Sequence, residues 1–180
     1  MMRVAPLFAF CILAASPVAA AVADSVANGF TVKISVIVHA GPDEVYKKLV
    51  HNIGDWWSSE HTFSGDAHNL TIDDKPMGCW CEKLKSGGAK HMEVVLAAQG
   101  KALVLTGGMG PLQAMAVAGA MSIDFTPDKE GTKLDLTYTV GGYLPAGLNT
   151  LAAPVDAVLS QQLARFKNFV ELGRPEPPTQ

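Results

Sequence analysis

The segment Cys79-Trp80-Cys81-Glu82 holds two thiols and a carboxylate within four residues, the densest cluster of reactive side chains in the sequence. Side chains two apart on a strand share a face, so the spacing predicts Cys79 and Cys81 on one side and Trp80 and Glu82 on the other. Regular extended backbone holds the two cysteine β-carbons farther apart than the roughly 3.5–4.5 Å a disulfide wants. Three readings of the pair therefore stand side by side: two small buried apolar side chains, a strained or redox-active pair on a distorted strand, or half of a soft-metal site. A zinc site would need two more ligands, with His91 and His61 as candidates, but no C-x-x-C or H-x-x-x-H spacing supports it, and no metal is assigned.

Glu82 reads either as a solvated or paired carboxylate or as a general base and polar anchor. His91 and Tyr138 complete the acid–base candidates, and Tyr138 could orient a ligand through its phenol. His39, His51, His61 and His68 are scattered without ligand spacing. Phosphate-binding loops, nucleophile elbows and metalloprotease helices are absent from the sequence, and no cofactor is called for.

The elements that would position these groups follow from periodicity. Phe30, Val32, Ile34, Val36 and Val38 alternate with polar residues, which predicts a half-buried strand. Gly41-Pro42-Asp43-Glu44 opens a helix with proline and two acids in its first turn; Val45, Leu49 and Ile53 form its stripe, and Gly54 is expected to stop it. Asp55 to His68 has no sustained period, and its Trp56, Trp57 and Phe63 could form an aromatic lid or close one end of the core. About six strands are then predicted: Leu70–Asp73, Cys79–Leu84, His91–Ala98, Ala102–Gly107, Met115–Thr126 and Thr132–Val140. Gly107-Gly108-Met109-Gly110-Pro111 breaks regularity and could leave room for a ligand. Asn149 to Glu171 predicts a long helix with Asn149 or Thr150 as N-cap, Pro154 near the first turn and Gly173 and Pro175 at its end. Val155, Leu159, Leu163, Phe166 and Val170 make its apolar face; Arg165, Lys167 and Asn168 fall off it. Consecutive short strands flanked by helices point to an α+β architecture with an antiparallel sheet.

Residues 1–23 read as a secretory leader, with Arg3 at its start, an apolar run from Leu7 to Ala15, and Ala21-Val22-Ala23 or Val18-Ala19-Ala20 as cleavage site. The apolar run is shorter than the roughly 20 residues a membrane span needs, so no stable membrane span is expected after leader removal. The expected organisation is a leader (1–23), one domain (24–173) and a flexible tail (174–180), with periplasmic or secreted location. The whole chain carries a net charge of −3, and losing the leader removes a base and no acid, which argues against a nucleic-acid partner.

The alternating first strand followed by Gly41-Pro42-Asp43-Glu44-Val45-Tyr46, the Trp56-Trp57 pair, Gly78-Cys79-Trp80-Cys81-Glu82, the segment from Gly107 to Ala116 and the helix from Leu151 to Val170 together resemble the START-like, SRPBCC superfamily. The branch they resemble holds the activator of heat-shock-protein-90 ATPase homologues and the polyketide cyclases. The resemblance covers essentially the whole mature chain. It implies a helix-grip fold, a curved antiparallel sheet wrapped around a long C-terminal helix, with a small molecule held between the two. A cytosolic co-chaperone role is not expected of an exported chain. The first expectation is a module that binds a hydrophobic or amphipathic small molecule, lined by Trp57, Phe63, Met92, Met121, Tyr138, Leu159 and Phe166. The second is a cyclase- or hydrolase-like enzyme using the same cavity with Glu82, His91 or Tyr138 as acid and base. The third is a thiol or metal protein centred on Cys79 and Cys81.

Overall fold

A computed structural model describes residues 19–176. Eight strands make one antiparallel sheet: β1 (Ala19–Val26), β2 (Gly29–Val38), β3 (Leu70–Ile72), β4 (Cys79–Leu84), β5 (Gly87–Ala98), β6 (Ala102–Thr106), β7 (Ala116–Asp128) and β8 (Gly131–Tyr143). Their order across the sheet is β1-β2-β8-β7-β6-β5-β4-β3. Helices α1 (Pro42–His51) and α2 (Ile53–Trp56) and the long α3 (Asn149–Leu172) cover one face. The fold is α+β, a curved open sheet gripping a C-terminal helix, as the strand order and resemblance imply.

Alternation places the core. Phe30, Val32, Ile34, Val36 and Val38 of β2 are buried with Leu134, Leu136, Tyr138 and Val140 of β8 and Met121, Ile123 and Phe125 of β7. Leu159, Leu163 and Phe166 of α3 press onto that face, each 3 % exposed or less. Burying one such side chain is worth roughly 1.5–3 kcal/mol, so the stripe supplies most of the hold of helix on sheet.

Residues 19–23, read as the end of the leader, form the first part of β1, whose backbone pairs with β2; cleavage after Ala20 would leave Ala21–Val26 of that strand, and cleavage after Ala23 Asp24–Val26. The rest of the leader, and residues 177–180 of the tail, lie outside the described residues. Several other local expectations need correction. The first helix ends at His51 with Asn52 as its C-cap, and Gly54 sits inside α2 instead of stopping the helix. A β-carbon on Gly54 would lie 3.0 Å from His68 Cα and 3.1 Å from the Ala67 carbonyl, so glycine lets the following loop pass close. Helix α3 is preceded by Leu148 without a side-chain cap, and Pro154 lies past its first turn. Its C-terminus follows the expected pattern, with Gly173 left-handed at φ 72°.

Lys167, expected off the buried stripe, is 9 % exposed. Its ammonium donates to the Ile37 carbonyl at 2.7 Å and to Glu171 at 2.5 Å, and Glu171 also accepts the His39 amide at 2.9 Å. Its stem lies along apolar surface while its head fastens the end of α3 to the end of β2.

Candidate functional site

Glu82 and His91 meet because β5 carries an extra residue. Along β4, Trp80 and Glu82 point inward and are 5 % and 1 % exposed. Trp80 pairs with Met92, but Cys81 pairs with Lys90, so His91 has no partner of its own in the ladder. Such a β-bulge turns two consecutive side chains to one face. Both His91 and Met92 are consequently buried, at 6 % and 1 %. Strict alternation would have sent His91 outward.

The Glu82 carboxylate accepts from His91 Nε2 at 2.9 Å, from the Phe63 amide at 3.0 Å and from the Ser64 amide. Burial pushes its pKa up, but the hydrogen bonds from Ser64, Phe63 and His91 outweigh that effect and hold it below the usual glutamate value. An ionised carboxylate only accepts, so His91 carries a proton on Nε2, and because the group facing Nδ1 is the Gln113 amide nitrogen, a donor, Nδ1 is the acceptor. Nδ1 takes a 3.0 Å hydrogen bond from Gln113 Nε2. The Phe63 ring stacks on the imidazole with centroids 5.3 Å apart and planes inclined by 23°. Glu82 thus sets the tautomer of His91 and anchors the loop that covers it.

Beside this cluster lies a cavity of about 460 Å3, bounded by the loop from Trp57 to Phe63, the segment Met109 to Met115, Tyr138 of β8 and one face of α3 from Leu151 to Leu159. The volume falls within the range typical of small-molecule sites. Its wall on α3 is apolar: Leu151, Pro154, Val155, Val158 and Leu159. The loop is sewn to α3 by the Ser58 amide on Gln162 Oε1 (2.8 Å), His61 on Gln161 (3.1 Å) and Arg165 Nε on the Trp56 carbonyl (3.0 Å).

Tyr138 fastens the opposite wall. Its hydroxyl accepts the Met109 amide at 3.0 Å and donates to the Gly107 carbonyl at 3.1 Å, and burial raises its pKa. Both hydrogen bonds are spent on backbone, so among the acid–base candidates Tyr138 is a strut for the Met109–Met115 segment. Gly119 makes this approach possible, since a β-carbon there would lie 2.8 Å from the Tyr138 hydroxyl and 2.5 Å from the Gly107 carbonyl.

Of the seven expected lining residues, Trp57, Phe63, Tyr138 and Leu159 face the cavity. Met92, Met121 and Phe166 do not. Met92 lies opposite Trp80 in the ladder, and Met121 pairs with Tyr138 and Leu105 beneath the cavity floor. Phe166 sits two turns beyond Leu159, against Trp56 at 5.1 Å. Strand and helix phase put all three on the buried face, but distance along the element takes them past the cavity into core. Met109 and Met115, whose deformable side chains suit an apolar pocket, line it; Leu112 and Gln113 were not expected at the site, and the glycine-rich break at Gly107–Pro111 was the only sign of them.

Cys79 and Cys81 lie on the outer face and form a disulfide across a Cα–Cα distance of 5.3 Å. The bond falls where the ladder shifts register between Trp80 and Cys81, in keeping with the distorted-strand reading; the expectation that regular extended backbone suits such a bond poorly is not overturned. With the sulfurs bonded to each other, no thiolate is left for the half-metal site. The described residues hold no group of three or more histidine, cysteine, aspartate or glutamate side chains placed to hold a metal ion.

No family model matches the chain, and no curated protein does. Solved structures resemble it in fold. A conserved protein of unknown function from Enterococcus faecalis is 18 % identical with a TM-score of 0.58, over 84 % of this chain and 78 % of the other. A putative uncharacterised protein from Rhizobium leguminosarum is 14 % identical with a TM-score of 0.58, over 85 % and 99 %. A protein from Chromobacterium violaceum is 17 % identical with a TM-score of 0.54, over 78 % and 97 %. At such identities the likeness concerns the fold alone, and it places the chain among helix-grip-like proteins.

Proposed function

We propose that this chain is an exported, SRPBCC-type domain that binds a hydrophobic or amphipathic small molecule between its sheet and α3. The observation that carries the reading is the 460 Å3 cavity, with an apolar α3 wall on one side and the buried Glu82–His91 pair at its edge. A carrier needs this combination: apolar area for affinity and a few fixed polar groups for orientation. Among the described residues no helix is long and apolar enough to cross a membrane. The test is native mass spectrometry of protein purified without detergent from its exported compartment, followed by denaturing extraction. The expected result is a co-purifying apolar molecule, lost when Val158→Trp fills the cavity. An empty protein whose melting temperature is unmoved by a panel of apolar compounds would contradict it.

A second reading, a cyclase- or hydrolase-like enzyme, is favoured by one observation. His91 backed by an ionised Glu82 has the base-and-orienter arrangement of general-base catalysis, with Nδ1 as the accepting atom. Turnover of a bound compound by the wild type and its loss in His91→Gln would select this reading over the carrier.

A further inference from the structure

We infer that the cavity takes a neutral amphiphile with a hydrogen-bond-donating head, an alcohol or phenol, which docks on His91 Nδ1 in the place now held by Gln113. The inference rests on the binding role proposed above and specifies its ligand class. Its basis is the direction of the hydrogen bonds around His91. Glu82 receives two backbone amides and His91 Nε2, and the Gln113 amide nitrogen donates to Nδ1 on the other side of the ring, so the imidazole presents an acceptor at Nδ1 and whatever replaces Gln113 there must donate. The stacked Phe63 ring covers one face of the imidazole, which directs a partner to the ring edge.

The donor now at that edge is built to be exchanged. Gln113 is an exposed residue on a short 3-10 turn, and its contact with His91 is its only side-chain hydrogen bond among the described residues. That turn begins at Gly110 (φ 57°), follows Gly107 (φ 136°) and is tied to the sheet where the Met109 amide donates to the Tyr138 hydroxyl. An incoming hydroxyl can replace an amide N–H on Nδ1 without leaving a buried group unpaired, because the released glutamine is free to reach water.

The charges around the cavity exclude the other common class of amphiphile. Glu60 lines the cavity, Glu82 lies directly behind His91, and among the described residues no lysine or arginine lines it. A carboxylate, sulfonate or phosphate head would meet the Glu60 and Glu82 carboxylates with no lysine or arginine in the lining to offset them. The apolar part of the ligand would lie along Leu151, Pro154, Val155 and Val158.

Three probes with one ring system separate the outcomes: 2-naphthol, 2-methoxynaphthalene and 2-naphthoate, titrated calorimetrically into the folded chain. The expected order is naphthol about tenfold tighter than the methoxy compound, the margin of one net hydrogen bond, with naphthoate weakest. In His91→Phe that margin should vanish. In Gln113→Ala, a surface change that leaves the core untouched, naphthol should bind as tightly as in wild type or tighter, since its competitor is gone. Equal binding of naphthol and methoxynaphthalene to the wild type overturns the donor-head inference and leaves the cavity reading standing. Tightest binding by naphthoate overturns the exclusion of anions. Binding of none of the three overturns both the inference and the binding role.

Discussion

One carboxylate holds three parts of the site together. Glu82 fixes the Phe63–Ser64 backbone, the proton position on His91 and, through His91, the contact with Gln113. Because its folded pKa is depressed, the stability it contributes is complete above the ordinary glutamate value of 4.5 and is lost as pH falls through the lower folded value. Urea titrations at pH 6 and below pH 4 should show the wild type losing more stability on acidification than Glu82→Gln does; equal losses would count against an ionised Glu82 held by these hydrogen bonds. Gly119 gives a second test at this scale. Gly119→Ala drives a methyl into the Tyr138 hydroxyl and the Gly107 carbonyl, and a loss of about 1–3 kcal/mol in chemical denaturation is expected. Glu82 could be placed on the face opposite the two cysteines from strand alternation, and His91 was a candidate by residue type; that His91 turns inward beside Met92 to meet Glu82 could not be read, because a bulge is a property of the pairing between two strands and leaves no mark in the alternation of either.

At the scale of elements, the register shift between β4 and β5 is what turns a sheet surface into a site. The disulfide spans the same place: Cys79 pairs with Glu93 on one side of the bulge and Cys81 with Lys90 on the other. It closes a very short loop between residues already held by ladders to β3 and β5, so chain entropy assigns it a stabilisation of no more than roughly 2 kcal/mol. The double change Cys79→Ser with Cys81→Ser should therefore leave a folded protein, with faster amide exchange confined to β4 and the bulged part of β5; global unfolding would show that the bond carries far more. The far end of α3 depends on Lys167. Removing its ammonium in Lys167→Met leaves Glu171 and the Ile37 carbonyl short of a donor, for an expected loss of about 1.5–3 kcal/mol by denaturant titration. Most strands were legible from alternation, and α3 from its apolar stripe and its terminal glycine. Strand β1 was hidden because a run of small apolar residues has the composition of a leader cleavage region as well as of an edge strand. Lys167 was hidden because an amphipathic side chain contributes to an apolar face without looking apolar.

For the molecule as a whole, the sheet and α3 are joined by continuous core at one end and held apart at the other. Phe166 and Leu163 pack directly onto the sheet side, whereas the first half of α3 faces the cavity from across the Trp57–Phe63 loop and the Met109–Met115 segment. That division gives the binding role a spatial signature, because the methionines report on both regions: Met109 and Met115 line the cavity, while Met92 and Met121 are buried in core. The most direct test is a methyl-resolved NMR titration of methionine-labelled protein with 2-naphthol. Saturable shifts at Met109 and Met115, with Met92 and Met121 nearly still, are the predicted result. Shifts confined to the exposed Met77, or no saturable shift at any methionine, would contradict a ligand held between sheet and helix.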